Sequence, residues 1–152
     1  MQLTPNFSLE QLIYSETAER ERIDNTPAPE IVDNLRLLAS GLEQIQALTG
    51  FPLEISSGYR SPELNQRVGG ASASQHTQGL AADFVCVEFG SPADIIKAIR
   101  ASGIVFDQCI LEYEEWVHIS FSEKPRGRVL TIYDAAQGYL EGLCDRSGKL
   151  IA

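Results

Sequence analysis

The sequence predicts an α+β fold, a small single domain in which N-terminal helices pack on a central antiparallel sheet. Apolar residues recur at helical spacing in the first third of the chain, whereas short strand-like apolar runs prevail in the second half. Separate runs of helices and strands favour this class over an alternating α/β fold. The 152 residues are sufficient for one domain with a hydrophobic core and without disulfide bonds.

Two helices are predicted in the N-terminal third. Ser8 and Gln11 have the spacing of a capping box, so the first helix is expected over about residues 8 to 20. The polar break DNTPAP follows, and Pro29 then begins a second helix that ends before Gly50. The apolar stripe of this helix is typical of one that packs on the core of its own domain.

Shorter elements are predicted in the middle and late parts of the chain. We interpret SPELNQRVGG and SPADIIKAIRASG as helices, because each begins with Ser-Pro and ends at glycine. The strand candidates are PLEISSGYR, AADFVCVEF, FDQCILEY, WVHISF and RVLTIYD. The turn-like segment SEKPRGR separates the last two. The tail from residue 137 to 152 has no pattern that assigns it.

The charge balance excludes two classes of partner. The chain has 12 Lys and Arg against 21 Asp and Glu, a formal net charge of −9. Nucleic-acid binding requires clustered basic side chains, and anionic membrane surfaces attract such clusters as well. We therefore expect neither nucleic-acid binding nor membrane binding, and we expect a monomer.

Cysteine usage and the N-terminus bear on localisation. The three cysteines are widely spaced and form no C-x-x-C pair, which indicates a reducing compartment. We expect Cys86 and Cys109, which lie in apolar runs, to be buried rather than metal-binding. The N-terminus lacks the basic and apolar regions of a signal peptide, and no apolar stretch approaches about 18 residues. The expectation is synthesis in the cytoplasm, with any release through a separate pore.

The chain contains two histidines, and the first lies in SQHTQGLAAD. His76 and Asp83 lie near the two ends of this loop, and His118 follows in the strand candidate WVHISF. With period-two alternation, His118 shares a face with Trp116 and Ser120, opposite an apolar face. A catalytic zinc ion takes three protein ligands and leaves one position for water. Taken singly, each histidine fits an ordinary polar residue. Taken together, the residues give a His-Asp-His ligand set.

A general base is expected near these ligands. Glu115 precedes His118 by three residues, close enough to act on a metal-bound water. By strict alternation Glu115 points to the opposite face from His118, so this role requires a bend or bulge before Trp116. Glu112 and Glu114 are alternative bases or members of a solvated acidic face. The spacing to His118 favours Glu115.

Two further residues belong to this hypothesis. Arg60, in SSGYRSPELN, follows a strand candidate and precedes a capped helix. Its guanidinium is suited to bind a substrate carboxylate or to stabilise the oxyanion of a tetrahedral intermediate. A surface pair between Arg60 and Glu63 is an equally good interpretation. Gly79, inside the loop that ends at Asp83, fits a backbone with positive φ or a close approach.

Three stretches occur in a fixed order along the chain, namely SGYRS, SQHTQGLAADF and EEWVHIS. Together they resemble the zinc D-alanyl-D-alanine carboxypeptidases and peptidoglycan endopeptidases. The pattern is Ser-x-His-x-x-Gly-x-Ala-x-Asp followed by Glu-x-x-His. The matching positions are Ser74, His76, Gly79, Ala81, Asp83, Glu115 and His118. The opening NFSLEQLIYSETAERERIDNTP is similar to short single-domain members found in phages, so the resemblance extends to about residue 132.

The resemblance implies a chemistry. One zinc ion per chain would be held by His76, Asp83 and His118, and Glu115 would take a proton from the zinc-bound water. Arg60 would polarise the scissile carbonyl or hold the substrate. The site would be lined by Ser74 and Trp116. The substrates would be peptidoglycan stem or crosslink peptides that contain D-amino acids, and the fold would be that of the Hedgehog and D-Ala-D-Ala peptidase domains.

Two alternatives to an enzyme are considered. The first is a binding module that keeps zinc without catalysis, as the resemblance of Hedgehog signalling domains to these peptidases suggests. The second has no metal, with both histidines as ordinary polar residues. Among enzymes, the sequence leaves carboxypeptidase and endopeptidase open, as it does a phage-type lysin and a cytosolic peptidase.

Overall fold

A six-stranded mixed sheet forms the centre of the protein. The computed structural model describes residues 1–151. Its strands are β1 (Gln2–Thr4), β2 (Phe7–Ser8), β3 (Glu54–Ser57), β4 (Ala81–Val85), β5 (Gln108–Glu112), β6 (Trp116–Ser120), β7 (Arg128–Ile132) and β8 (Tyr139–Glu141). β1 and β2 form a separate hairpin, and the other strands lie in the order β3-β4-β6-β5-β7-β8. The predicted α+β class is confirmed.

One strand pair departs from the expected antiparallel sheet. β5 and β7 are parallel, whereas every other neighbouring pair is antiparallel. The segment SEKPRGR is therefore a crossover and not a hairpin turn. The reason lies in β6, which pairs with β4 on one side and with β5 on the other. β7 finds no free edge on β6 and adds to the outer edge of β5.

The helices follow the predicted caps with one exception. They are α1 (Leu9–Ile13), α2 (Glu16–Glu21), α3 (Pro29–Thr49), α4 (Pro62–Arg67) and α5 (Pro92–Ser102). The helix expected over residues 8 to 20 is divided, because Ser15 Oγ accepts a hydrogen bond from Ala18 N at 3.2 Å and caps a second helix. A capping residue has extended backbone, which ends α1 before it. Within residues 1–151, no helix has the length and apolarity needed to cross a bilayer.

One face of the sheet packs against α3 and α5 to form the main hydrophobic core. Val117, Ile119 and Phe121 lie in this core, which confirms the predicted apolar face of β6. Gly41 of α3 makes room for Phe121, since a Cβ atom at Gly41 would lie 2.2 Å from the ring Cζ. This close approach of helix and ring fixes α3 on the sheet.

The opposite face of the sheet carries polar side chains. In the strand register, Asp83 of β4 is paired with His118 of β6, which is paired with Ile110 of β5. Ile110 is in turn paired with Leu130 of β7, and these two form a small apolar cluster with Ile132. The two ionisable residues therefore lie beside an apolar floor, outside the main core.

The described part of the unassigned tail, residues 137–151, extends the sheet. β8 pairs with β7, and Leu143 just after it is fully buried in the main core. Thr131 Oγ1 donates to Gly142 O at 2.8 Å and accepts from Cys144 N at 3.1 Å. The tail therefore covers the outer edge of β7 and places Tyr139 near the polar face.

Candidate metal centre

Three buried side chains converge on the polar face of the sheet. Asp83 and His118 are register partners on β4 and β6, and His76 lies on a short 3-10 helix, Gln75–Gln78, just before β4. Asp83 Oδ1 lies 3.3 Å from His76 Nε2 and 3.0 Å from His118 Nδ1. One ligand atom from each residue lies within 4.8 Å of the others.

The orientation of His76 is fixed by its surroundings. Its Nδ1 donates to the carbonyl oxygen of Gly58 at 2.7 Å, so its Nε2 faces Asp83. Ser74 Oγ accepts from His76 N at 3.2 Å and caps the 3-10 helix. Gly79 ends that helix at φ 73°, the positive φ that its position in the loop predicted. A histidine held by a backbone carbonyl through one nitrogen is typical of a metal ligand.

The geometry suits a zinc ion. Zinc–nitrogen and zinc–oxygen bonds of about 2.0–2.1 Å in a tetrahedron place ligand atoms about 3.3 Å apart. The separations of 3.0 and 3.3 Å between Asp83 Oδ1 and the histidine nitrogens are close to that value. Burial alone would raise the pKa of Asp83, but hydrogen bonds with His118 and His76 outweigh it and hold this pKa well below its usual range. Asp83 is thus a carboxylate, the form that binds metal.

The three ligands open into a pocket of about 620 Å³. Arg60, Ser74 and Trp116, all predicted to belong to the site, line this pocket. Residues of β5 and β7 and Tyr139 of β8, which follow β4 and β6 across the same sheet, also line the pocket. The structure therefore gathers the metal-binding residues, the arginine and the indole ring in one concave site.

Arg60 is held against the ligands by several contacts. Its Nη2 lies 3.5 Å from Asp83 Oδ2. Its Nε donates to Ser57 Oγ at 3.1 Å and its Nη1 to Asn65 Oδ1 at 3.2 Å. The backbone N of Arg60 donates to His76 O at 3.0 Å. The guanidinium is therefore a fixed positive charge beside the metal-binding carboxylate and not a surface group.

The structure does not bring Glu115 to the ligands. Tyr113 and Glu114 have φ values of 58° and 60°, and Glu115 N donates to Glu112 O at 3.0 Å, which makes a tight turn between β5 and β6. Glu115 lies on the exposed side of this turn and does not line the pocket. The bend that the base role requires is present, but the carboxylate at residue 115 faces solvent.

Glu112 is the glutamate that the structure places beside His118. It is paired with Trp116 in the sheet, so it lies on the same face as His118, two residues further along β6. Its Oε1 lies 3.9 Å from His118 Nδ1 and accepts a hydrogen bond from Trp116 Nε1 at 2.8 Å. Burial raises the pKa of Glu112, and the side chain is 15% exposed at the pocket wall.

In the sequence, the spacing to His118 favoured Glu115 over Glu112. Six residues separate Glu112 from His118, but the hairpin turn brings the two strands side by side. The short interval between the strand candidates FDQCILEY and WVHISF was the available signal that the two strands pair as a hairpin. Three further pocket residues were also missed, because no local motif marks them. They are Arg126 and Arg128, which follow β6, and Tyr139 of β8.

Fold and site together define an α+β domain with a buried His-Asp-His centre on the open face of its sheet. The peptidase M15 family profile matches residues 5–120, which is well over half of the chain and includes all three candidate ligands. The chain belongs to the peptidase M15 family, as its three motifs predicted. No curated protein matches the chain.

Proposed function

We propose that this protein is a zinc metallopeptidase that hydrolyses D-amino-acid-containing peptide bonds of peptidoglycan. The observation that carries the proposal is the convergence of His76, Asp83 and His118 beside Arg60 and Glu112 in one pocket. Membership of the peptidase M15 family supports peptide hydrolysis. The choice of peptidoglycan rests on the resemblance of the motifs and is part of the proposal.

The ligand set supports zinc as the metal. Two imidazoles and a carboxylate are a donor set that zinc accepts at catalytic centres, and three protein ligands leave a position open. When bound, zinc supplies Lewis acidity that polarises a peptide carbonyl and lowers the pKa of water. His76, Asp83 and His118, all buried on the polar face of the sheet, would hold it.

The remaining residues have distinct roles in this proposal. Glu112 Oε1 is engaged by Trp116 Nε1, so Oε2 is the oxygen that accepts the proton of the attacking water. Glu112 then returns this proton to the leaving amine. Arg60, whose Nη2 lies 3.5 Å from Asp83 Oδ2, anchors that carboxylate and adds positive charge where the oxyanion develops.

The alternative is a zinc-containing binding module without catalysis. Such a module has no need of a second carboxylate at the pocket wall. The half-buried Glu112, held by an indole nitrogen 2.8 Å away, therefore favours the enzyme. Substitution of Glu112 alone therefore distinguishes an enzyme from a binding module.

The test combines metal analysis with product analysis. Purified protein is assayed for bound zinc and incubated with muropeptides, and the products are followed by mass spectrometry. Glu112→Gln is the test variant, and Glu115→Gln, the same change three residues away on the exposed turn, is the matched control. We expect one zinc per chain in all three proteins, with hydrolysis by wild type and Glu115→Gln only.

Each other outcome has a definite meaning. Zinc binding without hydrolysis by wild type contradicts the enzyme and supports the binding module. Loss of activity in Glu115→Gln with activity retained in Glu112→Gln contradicts the base assignment alone. Release of D-alanine identifies a carboxypeptidase, whereas division of crosslinked dimers identifies an endopeptidase.

A further inference from the structure

We propose that Arg126 forms a carboxylate-binding subsite in the metal-centre pocket, which selects peptides that bear a free carboxylate. This inference rests on the proposed peptidase function and names a feature of its substrate. Arg126 lies in the crossover between β6 and β7, beyond the residues that the family profile covers, and it lines the same pocket as the three ligands.

The pocket has a different charge balance from the whole chain. The protein has a net charge of −9, yet Arg60, Arg126 and Arg128 all line this pocket. The carboxylates that line it are Asp83, assigned to the metal, and Glu112. Each of these arginines has a carboxylate partner, so what the pocket gains is a set of guanidinium N–H donors, which are suited to a carboxylate ligand.

A buried aspartate fixes the orientation of Arg126. Asp107 is 2% exposed, and its Oδ1 accepts from Arg126 Nε at 2.9 Å while its Oδ2 accepts from Arg126 Nη2 at 2.8 Å. Oδ2 also accepts from Gln75 Nε2 at 2.8 Å, and Gln75 directly precedes the ligand His76. The guanidinium is therefore tied to the ligand segment before any substrate arrives.

Part of this guanidinium remains directed outward. A guanidinium has five N–H groups, and Asp107 accepts from two of them, the N–H of Nε and one N–H of Nη2. The Arg126 side chain is 53% exposed. The edge formed by Nη1 and the second N–H of Nη2 is a fork that matches a carboxylate. Because Asp107 already holds the side chain, little rotamer entropy is lost when a ligand binds.

The other two arginines of the pocket are less suited to this role. Arg60 directs its donors to Ser57, Asn65 and Asp83, next to the metal. Arg128 pairs with Glu141, whose side chain is 70% exposed, so its guanidinium lacks the buried anchor that Asp107 gives Arg126. Arg126 alone among the three combines a fixed orientation with an outward edge.

The test measures binding, so that it does not depend on hydrolysis. The probes are the stem pentapeptide L-Ala-γ-D-Glu-L-Lys-D-Ala-D-Ala, its D-isoglutamine form and its C-terminal amide, titrated into metal-free protein by calorimetry. We expect one of the two amidations to weaken binding to wild type about tenfold, the low end for a hydrogen bond to a charged group.

The variant removes both members of the ion pair. Asp107→Asn/Arg126→Gln avoids leaving an unpaired buried charge, and a cooperative thermal unfolding transition is the check that it is folded. Lys124→Gln is the matched control, with the same loss of a positive charge two residues away but outside the pocket. We expect the double variant to bind the carboxylate and amide peptides alike, and the control to discriminate as wild type does.

Three results would overturn the subsite. They are failure of wild type to bind the unmodified pentapeptide, a change of less than twofold on both amidations, and undiminished discrimination by the double variant. If the Asp107–Arg126 pair only stabilised the crossover between β6 and β7, the double variant would still discriminate between the peptides. A protein that discriminates in binding but hydrolyses no peptide retains this subsite and contradicts the proposed function, so the two failures are distinguishable.

Discussion

Glu112 and Trp116 are paired across the β5–β6 hairpin, and the indole Nε1 donates to Glu112 Oε1 at 2.8 Å. This hydrogen bond orients the carboxylate towards the ligands. Trp116→Phe removes it while keeping an aromatic ring, so we expect kcat to fall about tenfold, as for the loss of a hydrogen bond to a charged group. Zinc content and KM should change little. Tyr14→Phe, at an exposed ring outside the pocket, is the control, and equal losses in both variants would contradict the orienting role.

Removal of metal is expected to lower stability. A ligand at a hundred times its Kd stabilises the folded state by about 2.7 kcal/mol. For a domain of this size that corresponds to a rise of about 5–10 °C in Tm between chelator and zinc. Asp83→Asn should abolish the rise, because it removes the carboxylate shared by both histidines. Asp33→Asn, an exposed change on α3, should retain it. An unchanged Tm in wild type would count against the centre.

Acid should weaken the Asp107–Arg126 pair. Hydrogen bonds from Arg126 lower the pKa of Asp107 to about 2, whereas an unfolded aspartate titrates near 4. The pair therefore contributes its full stability above about pH 4 and loses it as the pH falls towards 2. We expect Asp107→Asn to be less stable than wild type by about 1–2 kcal/mol at pH 7, and the difference to shrink at pH 2.5. Urea unfolding at both pH values measures this, and a constant difference would contradict it.

Gly41 should resist substitution by alanine even though it lies within a helix. Alanine favours an isolated helix over glycine by about 1 kcal/mol, but here its Cβ would lie 2.2 Å from Phe121 Cζ. We expect Gly41→Ala to destabilise the protein by about 1–3 kcal/mol, as for an overpacked core. Ser40→Ala, at the exposed neighbour, should be neutral or slightly stabilising. Phe121→Leu should cost less in the Gly41→Ala background than alone, as a double-mutant cycle would show.

Local patterns explain why much of the fold could be predicted. Pro29 and Gly50 bound α3, and Ser91 with Asp94 forms the capping box that begins α5. These signals act within a few residues, so they are visible in the sequence. The division of the first helix was missed because Ser15 is a second cap inside an otherwise helical pattern.

The candidate ligands could also be named in advance. The chain has only two histidines, and alternation in β6 assigned His118 to the polar face. Asp83 followed from its position at the end of the loop that begins at His76. These candidates could be named without knowing the strand order, because only a few residue types bind zinc and the chain has only two histidines.

The sequence by itself therefore determined the α+β class, most of the helix caps and the candidate ligands, because each depends on residue type and on spacing along the chain. Tertiary structure alone decided that Glu112 and not Glu115 faces the ligands, that β7 runs parallel to β5, and that Arg126 reaches the pocket. These three facts depend on which strands pair and in what register. Such pairing joins residues far apart in the chain, and the free energy that selects it comes from the packed sheet as a whole.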